Sequence, residues 1–429
     1  MKKVKIGLLG FGTVGYGVYK ILKENGKDIV HKEGVDISVK KVLVKSMDEP
    51  NAKCEGDICT TSIESIIGDN EISLIVECLG GVEPARTYIL AALNSGRTVV
   101  TSNKEVIAKH WPELEKAARK NNVGLYIEAT VGGGIPIIKT IFDSMQANSI
   151  TRIMGIINGT TNYILTKMSE EGCSFEDTLK EAQQLGYAEA NPKNDVEGFD
   201  VMYKLSILGS LAFHAKIPMI NIYREGITRI SAEDVRMAKH FGYVIKLLAI
   251  GKKDGTNVEA RVHPVMIKDT HPLAGVRGVF NAIFMHGSAV DDIMLYGRGA
   301  GQMPTASAVV SDVIFACRFK QHLYTSFENK DDASPIVKFV EDWKTAAYIY
   351  LQVEDAPGVL SRISGILGEH EVSIATVIQD DKMKDEETGS VPLIFITHEA
   401  SESRLQGALK DLESLDCVLE IKNMIRVEN

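Results

Sequence analysis

Hydrophobic and polar positions follow different patterns along the chain and divide it into three segments. From residue 3 to about 130, short runs of β-branched residues alternate with amphipathic helical stretches. Alternation of this kind predicts an α/β domain with a parallel, doubly wound sheet. The predicted strands are Val4–Leu9, Ile37–Val44, Leu74–Glu77, Thr98–Thr101 and Leu125–Ile127, and the predicted helices include Val14–Glu24, Ala85–Asn94 and Glu113–Lys120.

The second segment, residues 131–303, combines longer helical patterns with strands and predicts an α+β domain. A further helix over residues 304–320 is expected to return to the first domain, which otherwise spans residues 1–130. The predicted helices of the second segment are Ile135–Ser144, Asn158–Glu170, Phe175–Leu185, Val201–Phe213 and Ala232–Leu248.

The last segment differs from the first two in its pattern of polar and apolar residues. Residues 321–346 are polar and predict a linker, and residues 347–429 follow the order strand, helix, strand, strand, helix, strand. A charged hairpin over residues 380–390 separates the two central strands. This βαββαβ order is typical of a small ferredoxin-like module.

Composition limits the classes of partner. The chain has 429 residues and a net charge of −9, which argues against nucleic acid, because phosphate binding needs a basic surface. No run approaches the roughly 18 apolar residues of a membrane span. Six scattered cysteines without a CxxC pair fit a reducing compartment and give no structural zinc site. We expect a soluble, cytoplasmic protein.

A glycine-rich turn follows the first predicted strand and opens the first predicted helix. In this setting its glycines allow a tight turn and close approach of a pyrophosphate, which predicts a Rossmann-type dinucleotide-binding domain. The alternative is a purely structural glycine turn. The motif comprises Gly10, Phe11, Gly12, Thr13, Val14 and Gly15.

The end of the second predicted strand indicates which dinucleotide binds. A carboxylate there would hold the ribose 2′-OH of NAD, but the strand ends at Lys45, and the nearest earlier acid, Asp36, lies at its other end. A lysine suits a 2′-phosphate, so NADP is favoured and NAD is the alternative. The other interpretation of Lys45 is a solvated surface lysine. A dinucleotide without nearby metal-ligand spacing implies hydride transfer.

Two charged residues interrupt a hydrophobic helix. Asp200 and Lys204 are four residues apart and share a predicted helix face with Leu208 and Leu211. One interpretation is an ion pair that closes a buried helix. The other is a carboxylate and an ammonium at the mouth of a substrate pocket, with pKa values tuned by burial and pairing.

Further motifs occur in a specific order. Together with the glycine turn and the charged helix, they resemble homoserine dehydrogenases over about residues 1–325. That family oxidises L-homoserine to L-aspartate 4-semialdehyde with NAD(P)+, in threonine and methionine biosynthesis. The resemblance implies that residues 131–303 bind substrate and form a dimer. The motifs are Thr101–Lys104, Glu128–Pro136, Asn158–Tyr163, Gly186–Asp195 and Gly297–Gly301.

The resemblance implies roles for individual residues. Lys104 and Lys204 match the two active-site lysines, and we expect Lys204 to be the main acid/base group with Lys104 beside the nicotinamide. Asp200 would orient Lys204 or hold the polar atoms of the substrate, and Glu189 would bind the substrate ammonium. Asp195 is either a helix N-cap or part of the polar lining. Cys78, Ser102, Lys104 and Gly301 would contact the cofactor.

The resemblance also implies a structural sodium ion, where the residues alone would indicate only a tight turn. Oxygen ligands suit a hard monovalent cation. In contrast, His263 and His271, each followed by proline, fit no catalytic or metal-ligand spacing and are expected to be structural. The sodium ligands would come from Glu128, Val131, Gly133 and Ile135.

The turn at the start of the last module, Glu354–Leu360, resembles the signature of ACT domains, which sense small molecules. A turn at a helix N-terminus offers N–H groups to a carboxylate, so Asp355, Gly358 and Val359 would bind an amino-acid effector. Threonine is the expected effector from the pathway alone. The alternative is an ordinary turn. ACT modules pair edge to edge, which predicts a homo-dimer or homo-tetramer.

Two other functions remain open at this point. A non-catalytic sensor would keep the cofactor fold and the ligand-binding module, but it should have lost the charged residues of the pocket. A dehydrogenase for a different amino acid on the same scaffold would keep them and would be separable only by its substrates.

Overall fold

The computed structural model describes residues 2–319, 322, 324–325, 327, 337–379, 385 and 389–428. About half of the predicted linker, residues 321–346, and most of the predicted hairpin at residues 380–390 lie outside the described residues. The described part of the linker is not without strands, because Lys338–Phe339 forms a short one. Where the structure describes the chain, no helix is long and apolar enough to cross a membrane.

The first domain is a parallel sheet flanked by helices, as the alternating pattern predicts. The strand order β3-β2-β1-β4-β5-β6 reverses direction between β1 and β4, and ligands of such sheets bind beyond the carboxyl ends of the strands at this point. The strands are β1 (Lys2–Leu9), β2 (Val35–Leu43), β3 (Cys59–Thr60), β4 (Ile72–Glu77), β5 (Thr98–Thr101) and β6 (Leu125–Tyr126), and the helices are α1 (Thr13–Glu33), α2 (Pro50–Cys54), α3 (Ile63–Ile67), α4 (Ala85–Asn94) and α5 (Lys104–Lys120).

The second domain places helices on one face of an antiparallel sheet. Its longest helix, α10, is buried on nearly every side, because it packs between this sheet and α5. The strands are β7 (Ile150–Ile156), β8 (Tyr223–Arg224), β9 (Tyr243–Asp254), β10 (Asn257–Lys268), β11 (Phe280–Gly287) and β12 (Asp291–Arg298), and the helices are α6 (Ile137–Lys139), α7 (Gly159–Glu171), α8 (Phe175–Gln184), α9 (Lys193–Val196), α10 (Phe199–Ala212) and α11 (Ala232–His240).

One predicted helix of this domain is wrong in its second half. The helix predicted over Ala232–Leu248 ends at His240, and strand β9 begins at Tyr243. Gly242 adopts a left-handed conformation with φ of 74° and ends the helix. The residues from Tyr243 to Ile250 are apolar apart from Lys246, and such a run does not distinguish a buried strand from a buried helix.

The expected return helix is present as α12 (Gln302–Arg318), and it packs along α1. Gly17 makes this close packing possible, because a Cβ at Gly17 would lie 2.9 Å from side-chain atoms of both Ala306 and Gln302. The two helices tie the end of the second domain to the first.

The last module has the predicted βαββαβ order and the strand order β18-β14-β16-β15. Its first strand starts at Lys344, three residues earlier than the predicted module boundary. The elements are β13 (Lys338–Phe339), β14 (Lys344–Glu354), α13 (Val359–Glu369), β15 (Ile374–Gln379), β16 (Ser390–Thr397), β17 (Ala400–Ser401), α14 (Glu402–Glu413) and β18 (Val418–Glu428).

The module is joined to the second domain by a shared sheet. Strand β18 pairs in parallel with β10, with Val265 opposite Arg426, so the two sheets are continuous. Fully buried Arg261 binds Glu428 at this junction, and buried Arg426 binds Glu402 at 2.5 Å. These pairs neutralise charges that would be costly to bury alone.

Candidate active site

Two adjoining clefts lie at the carboxyl edge of the first sheet. The glycine-loop cleft is lined by residues including Gly10, Phe11, Gly12, Lys45, Glu49 and Cys78. The lysine cleft is lined by residues including Ser102, Lys104, Glu189, Asp195 and Asp200. Leu79 and Gly80 line both clefts, so the two form one groove between the first and second domains.

The glycine motif has the geometry of a dinucleotide turn. Gly10 has a φ of 96°, and a Cβ there would lie 2.9 Å from the carbonyl oxygen of Cys78. A Cβ at Gly15 would lie 2.0 Å from the carbonyl oxygen of Gly10. Gly12, by contrast, has no atom within 4 Å of that position and precedes α1, so space is open where a pyrophosphate would meet the helix N-terminus. Thr13 and Val14 begin this helix.

The far end of the glycine-loop cleft carries charges of both signs. Lys45 is exposed and lines the cleft. Glu49 lines it too, and its carboxylate accepts hydrogen bonds from the backbone N–H groups of Lys45 at 2.9 Å and Ser46 at 3.3 Å. The sequence pattern drew attention only to Asp36, an acid before Lys45, and gave no sign that Glu49, which follows Lys45, would line the cleft.

The structure brings the two predicted lysines to one carboxylate. The Nζ atom of Lys204 lies 2.7 Å from Asp200 Oδ2, and that of Lys104 lies 2.9 Å from Asp200 Oδ1. Lys204 also donates to the carbonyl oxygen of Ile157 at 2.7 Å. The side chains of Asp200 and Lys204 are 7% and 9% exposed, whereas that of Lys104 is 41% exposed. Lys104 therefore presents its ammonium to the cleft, and Lys204 is held behind it.

Burial and pairing shift the three groups in different directions. Burial disfavours the ionised form of Asp200, but the ammonium groups of Lys204 and Lys104 outweigh it and hold the pKa of Asp200 well below its usual range. The attraction of Asp200 raises the pKa of Lys104. Burial lowers the pKa of Lys204, and the attraction of Asp200 offsets only part of that effect. Of the two lysines, Lys204 gives up its proton more readily.

Asn158 connects this group to the substrate side of the cleft. Its amide donates to Asp195 at 2.7 Å and to Asp200 at 2.9 Å, while its oxygen caps α7 by accepting the N–H of Thr161 at 2.9 Å. Asp195 is not a helix N-cap, because Gly198 takes that position for α10. Burial and the charge of Asp200 raise the pKa of Asp195. Asn158 begins one of the predicted motifs, but the sequence did not reveal its hydrogen bonds to Asp195 and Asp200.

The remaining predicted residues lie around this centre. Glu189 is exposed at the rim of the lysine cleft, and Ser102 lies on its wall. The backbone N–H of Cys78 donates to the carbonyl of Leu9 at the base of the groove. Gly301 precedes α12 with a φ of 118°, in the loop that leads back to the first domain.

The turn at Glu128 is a compact acidic site. Buried Glu128 accepts the N–H groups of Ile138 at 3.0 Å and Lys139 at 2.7 Å, and its own N–H donates to Asp312 at 2.9 Å. Lys139 lies 3.2 Å from Asp312. Burial and the neighbouring Asp312 raise the pKa of Glu128 to about 7. Among the described residues, no group of three or more His, Cys, Asp and Glu side chains could hold a metal ion.

The backbone around this turn is tightly packed. Val131, Gly133 and Ile135 follow Glu128, and a Cβ at Gly133 would lie 2.5 Å from the backbone of Gly299. The turn therefore contacts the glycine loop that precedes α12.

The two histidines have structural contacts. His263 is fully buried against the carbonyl of Pro264 and the guanidinium of Arg261, and His271 accepts the N–H of Leu273.

In the last module, Gly358 has a φ of 90° immediately before α13, with Asp355 exposed and Val359 buried.

Three sequence-family models match consecutive parts of this chain. Residues 10–128 match the NAD-binding domain of homoserine dehydrogenase, residues 136–314 match homoserine dehydrogenase, and residues 347–417 match the ACT domain. The homoserine dehydrogenase of Helicobacter pylori is 43% identical over 428 residues, covering 100% of both chains. That of Synechocystis is 41% identical over 440 residues, covering 99% of both.

Solved structures of homoserine dehydrogenases resemble this chain as well. A homoserine dehydrogenase from Thiobacillus denitrificans has a TM-score of 0.93 and 39% identity, covering 100% of this chain and 99% of that chain. A hyperthermophilic archaeal homoserine dehydrogenase in complex with NADPH has a TM-score of 0.64 and 30% identity, covering 73% of this chain and 97% of its own.

Proposed function

This chain belongs to the homoserine dehydrogenase family, and from that premise we propose which of its residues carry out the reaction. The activity is NAD(P)-dependent interconversion of L-homoserine and L-aspartate 4-semialdehyde. The observation that carries the assignment of residues is the Lys104–Asp200–Lys204 group, which stands in a cleft continuous with the dinucleotide turn.

We propose that the cofactor occupies the glycine-loop cleft and that NADP is preferred. The turn at Gly10, Gly12 and Gly15 would hold the pyrophosphate, and Lys45 would face the 2′-phosphate. The archaeal relative solved with NADPH supports this choice. The bound nicotinamide supplies hydride transfer, and this chain supplies position and proton transfer.

Substrate oxidation requires removal of a proton from the C4 hydroxyl. Lys204 is the proposed acid/base group, because burial favours its neutral form, and Asp200 orients it. Lys104 holds the C4 oxygen from the open side of the cleft. Glu189 and Asp195, which line the same cleft, would attract the substrate ammonium and orient the carbon chain.

Glu128 and Asp312 place two buried carboxylates against the single ammonium of Lys139. The remaining negative charge and the adjacent carbonyl groups of Val131, Gly133 and Ile135 fit a sodium ion as a structural cation. Replacing sodium chloride with choline chloride should lower the Tm of the wild type more than that of Glu128→Gln. Equal Tm changes in the wild type and in Glu128→Gln would contradict the proposed sodium site.

We propose that the ACT module binds threonine through the turn at Asp355, Gly358 and Val359, and that the chain forms a homo-dimer or homo-tetramer. Strand β18 already pairs with β10, and among the described residues β15 is the last strand at the other end of the sheet, where a second module would pair. Exposed Met294 and Tyr296 on the edge strand β12 offer a separate dimer surface. Light scattering with and without threonine would measure the assembly.

The activity test follows reduction of NADP+ and NAD+ with L-homoserine, with L-serine as the control substrate. Homoserine-dependent reduction with NADP+ preferred is the expected result, and added threonine should reduce the rate. Folded protein that reduces neither cofactor with homoserine would contradict the activity. Equal rates in the presence of threonine would contradict the effector alone.

A further inference from the structure

Glu77 is a fully buried carboxyl group that the proposed chemistry does not use. It ends β4, is 0% exposed, and forms no ion pair with another described residue. Burying a carboxyl group in this way costs free energy unless hydrogen bonds compensate. It lies two residues before Leu79, which lines both clefts.

The carboxyl group of Glu77 connects two neighbouring strand ends. Its Oε1 atom accepts the N–H of Leu79 at 2.6 Å, and its Oε2 atom accepts the hydroxyl of Thr101. Its backbone carbonyl accepts the N–H of Ser102 at 3.2 Å. The loop after β4 and the loop after β5 are thus bound to one side chain.

Thr101 connects Glu77 to Asn103, the residue that caps the start of α5. Its hydroxyl oxygen accepts the N–H of Asn103 at 2.9 Å. The Asn103 amide in turn donates to the carbonyls of Leu79 at 3.2 Å and Gly81 at 2.8 Å, and its oxygen caps the helix at the N–H of Val106. The next residue after Asn103 is Lys104, so the backbone that carries this ammonium is held at each of these points.

We propose that Glu77 is a positioning residue for the dehydrogenase reaction: acting through Thr101 and Asn103, it fixes the start of α5 so that Lys104 meets Asp200. The inference rests on the proposed role of Lys104. Glu77 does not touch the reacting atoms. A shift of about 1 Å in a reacting group can cost about 100-fold in rate, so such a constraint has a measurable effect.

The first test is Thr101→Val, which keeps the volume and removes the hydroxyl. The N–H of Asn103 loses its acceptor, while the bond from Leu79 to Glu77 remains. We expect kcat to fall by about tenfold or more, with Kd for NADPH within about threefold of wild type. Thr101→Ser restores the hydroxyl and should recover most of kcat. Thr98→Val, at the other end of β5, is the matched control and should leave kcat unchanged.

A second readout separates positioning from loss of stability. When Lys104 is displaced from Asp200, its raised pKa falls, so the high-pH limb of the kcat/KM profile, where the Lys104 ammonium loses its proton, should move to lower pH in Thr101→Val. A purely structural contribution would lower Tm and leave the profile where it is. Wild-type kcat and an unshifted profile in Thr101→Val would overturn the proposal.

Two further variants keep the result decisive. If Thr101→Val does not fold, Glu77→Gln replaces it, because glutamine accepts from Leu79 but leaves the Thr101 hydroxyl hydrogen without an acceptor. It should lower kcat at least about threefold with the same shift of the pH profile, and a wild-type profile would overturn the proposal. Lys104→Met tests the underlying function: near-normal turnover there would reject the role of Lys104 itself.

Discussion

Replacing Asp200 with asparagine keeps the size of the side chain and removes the charge that holds both lysines. In the wild type, Lys204 and Lys104 donate to separate oxygens of this carboxylate at 2.7 and 2.9 Å. Asparagine keeps one acceptor oxygen and turns an N–H₂ group toward the other lysine. One of the two hydrogen bonds is therefore lost, and the other remains from an ammonium to a neutral oxygen, without the attraction of a carboxylate.

The magnitude follows from these contacts. A hydrogen bond to a charged group contributes about 1.5–3 kcal/mol. The contribution of Lys104 lies at the lower end, because its side chain is 41% exposed and water screens the pair. A total loss of about 2–4 kcal/mol at the transition state corresponds to a decrease in kcat/KM of about 30- to 1,000-fold.

The assay is NADP+ reduction by L-homoserine over a range of pH, for the wild type, Asp200→Asn and the control Asp177→Asn. Asp177 is a surface residue whose side chain is 74% exposed. Because Asp200 raises the pKa of Lys104, the variant should also have its pH profile displaced to lower pH. A kcat/KM within threefold of wild type, from protein with wild-type Tm, would refute the coupling of the two lysines through Asp200.

Three further predictions address other parts of the molecule. Lys45→Asp should lower the ratio of kcat/KM for NADP+ to that for NAD+ by about tenfold, the equivalent of about 1.4 kcal/mol, and an unchanged ratio would remove Lys45 from cofactor choice. Glu428→Gln should reduce the free energy of unfolding in urea by about 2–3 kcal/mol, because Arg261 is fully buried. Glu420 is exposed on the same strand, and Glu420→Gln should reduce the free energy of unfolding by less than about 1 kcal/mol. Equal reductions in the two variants would show that the Arg261–Glu428 pair stabilises the protein no more than an exposed pair does. Lys246 is buried, and burial lowers its pKa from 10.5 to about 8, so the unfolded chain binds the extra proton between these values. The stability of the wild type relative to Lys246→Met should therefore rise by about 3 kcal/mol from pH 8 to pH 10.5 and stay level below about pH 7, where both states carry the proton, whereas a difference that is flat over the whole range would contradict the shift.

Much of the fold could be predicted because its signals are local. The glycine turn at Gly10–Gly15 is specified by residues that lie within six positions of one another. The helix at Ala85–Asn94 and the strand at Thr98–Thr101 agree with the structure to the residue, since each has a clear period and a polar boundary. The βαββαβ order of the last module follows from the same kind of signal. Strand β9 could not be predicted in this way, because its central residues are buried on both faces and show no period of two.

The site depended on contacts between distant parts of the chain. The pair of Asp200 and Lys204 was readable from helical spacing, but the approach of Lys104 to Asp200 joins two domains, and no local pattern encodes it. Glu49 illustrates the same limit on a smaller scale, because a loop turns its carboxylate back onto the N–H of Lys45. The continuous sheet through β10 and β18 likewise required the whole fold.

The sequence by itself determined which secondary structures form and which chemical groups are available, because backbone sterics and hydrophobic periodicity act over a few residues. Only the tertiary structure decided that Lys104 faces the cleft while Lys204 lies behind it, and that their pKa values move in opposite directions. The physical reason is that burial and charge pairing depend on every element packed around a group. Those neighbours are distant in sequence and meet only when the domains assemble.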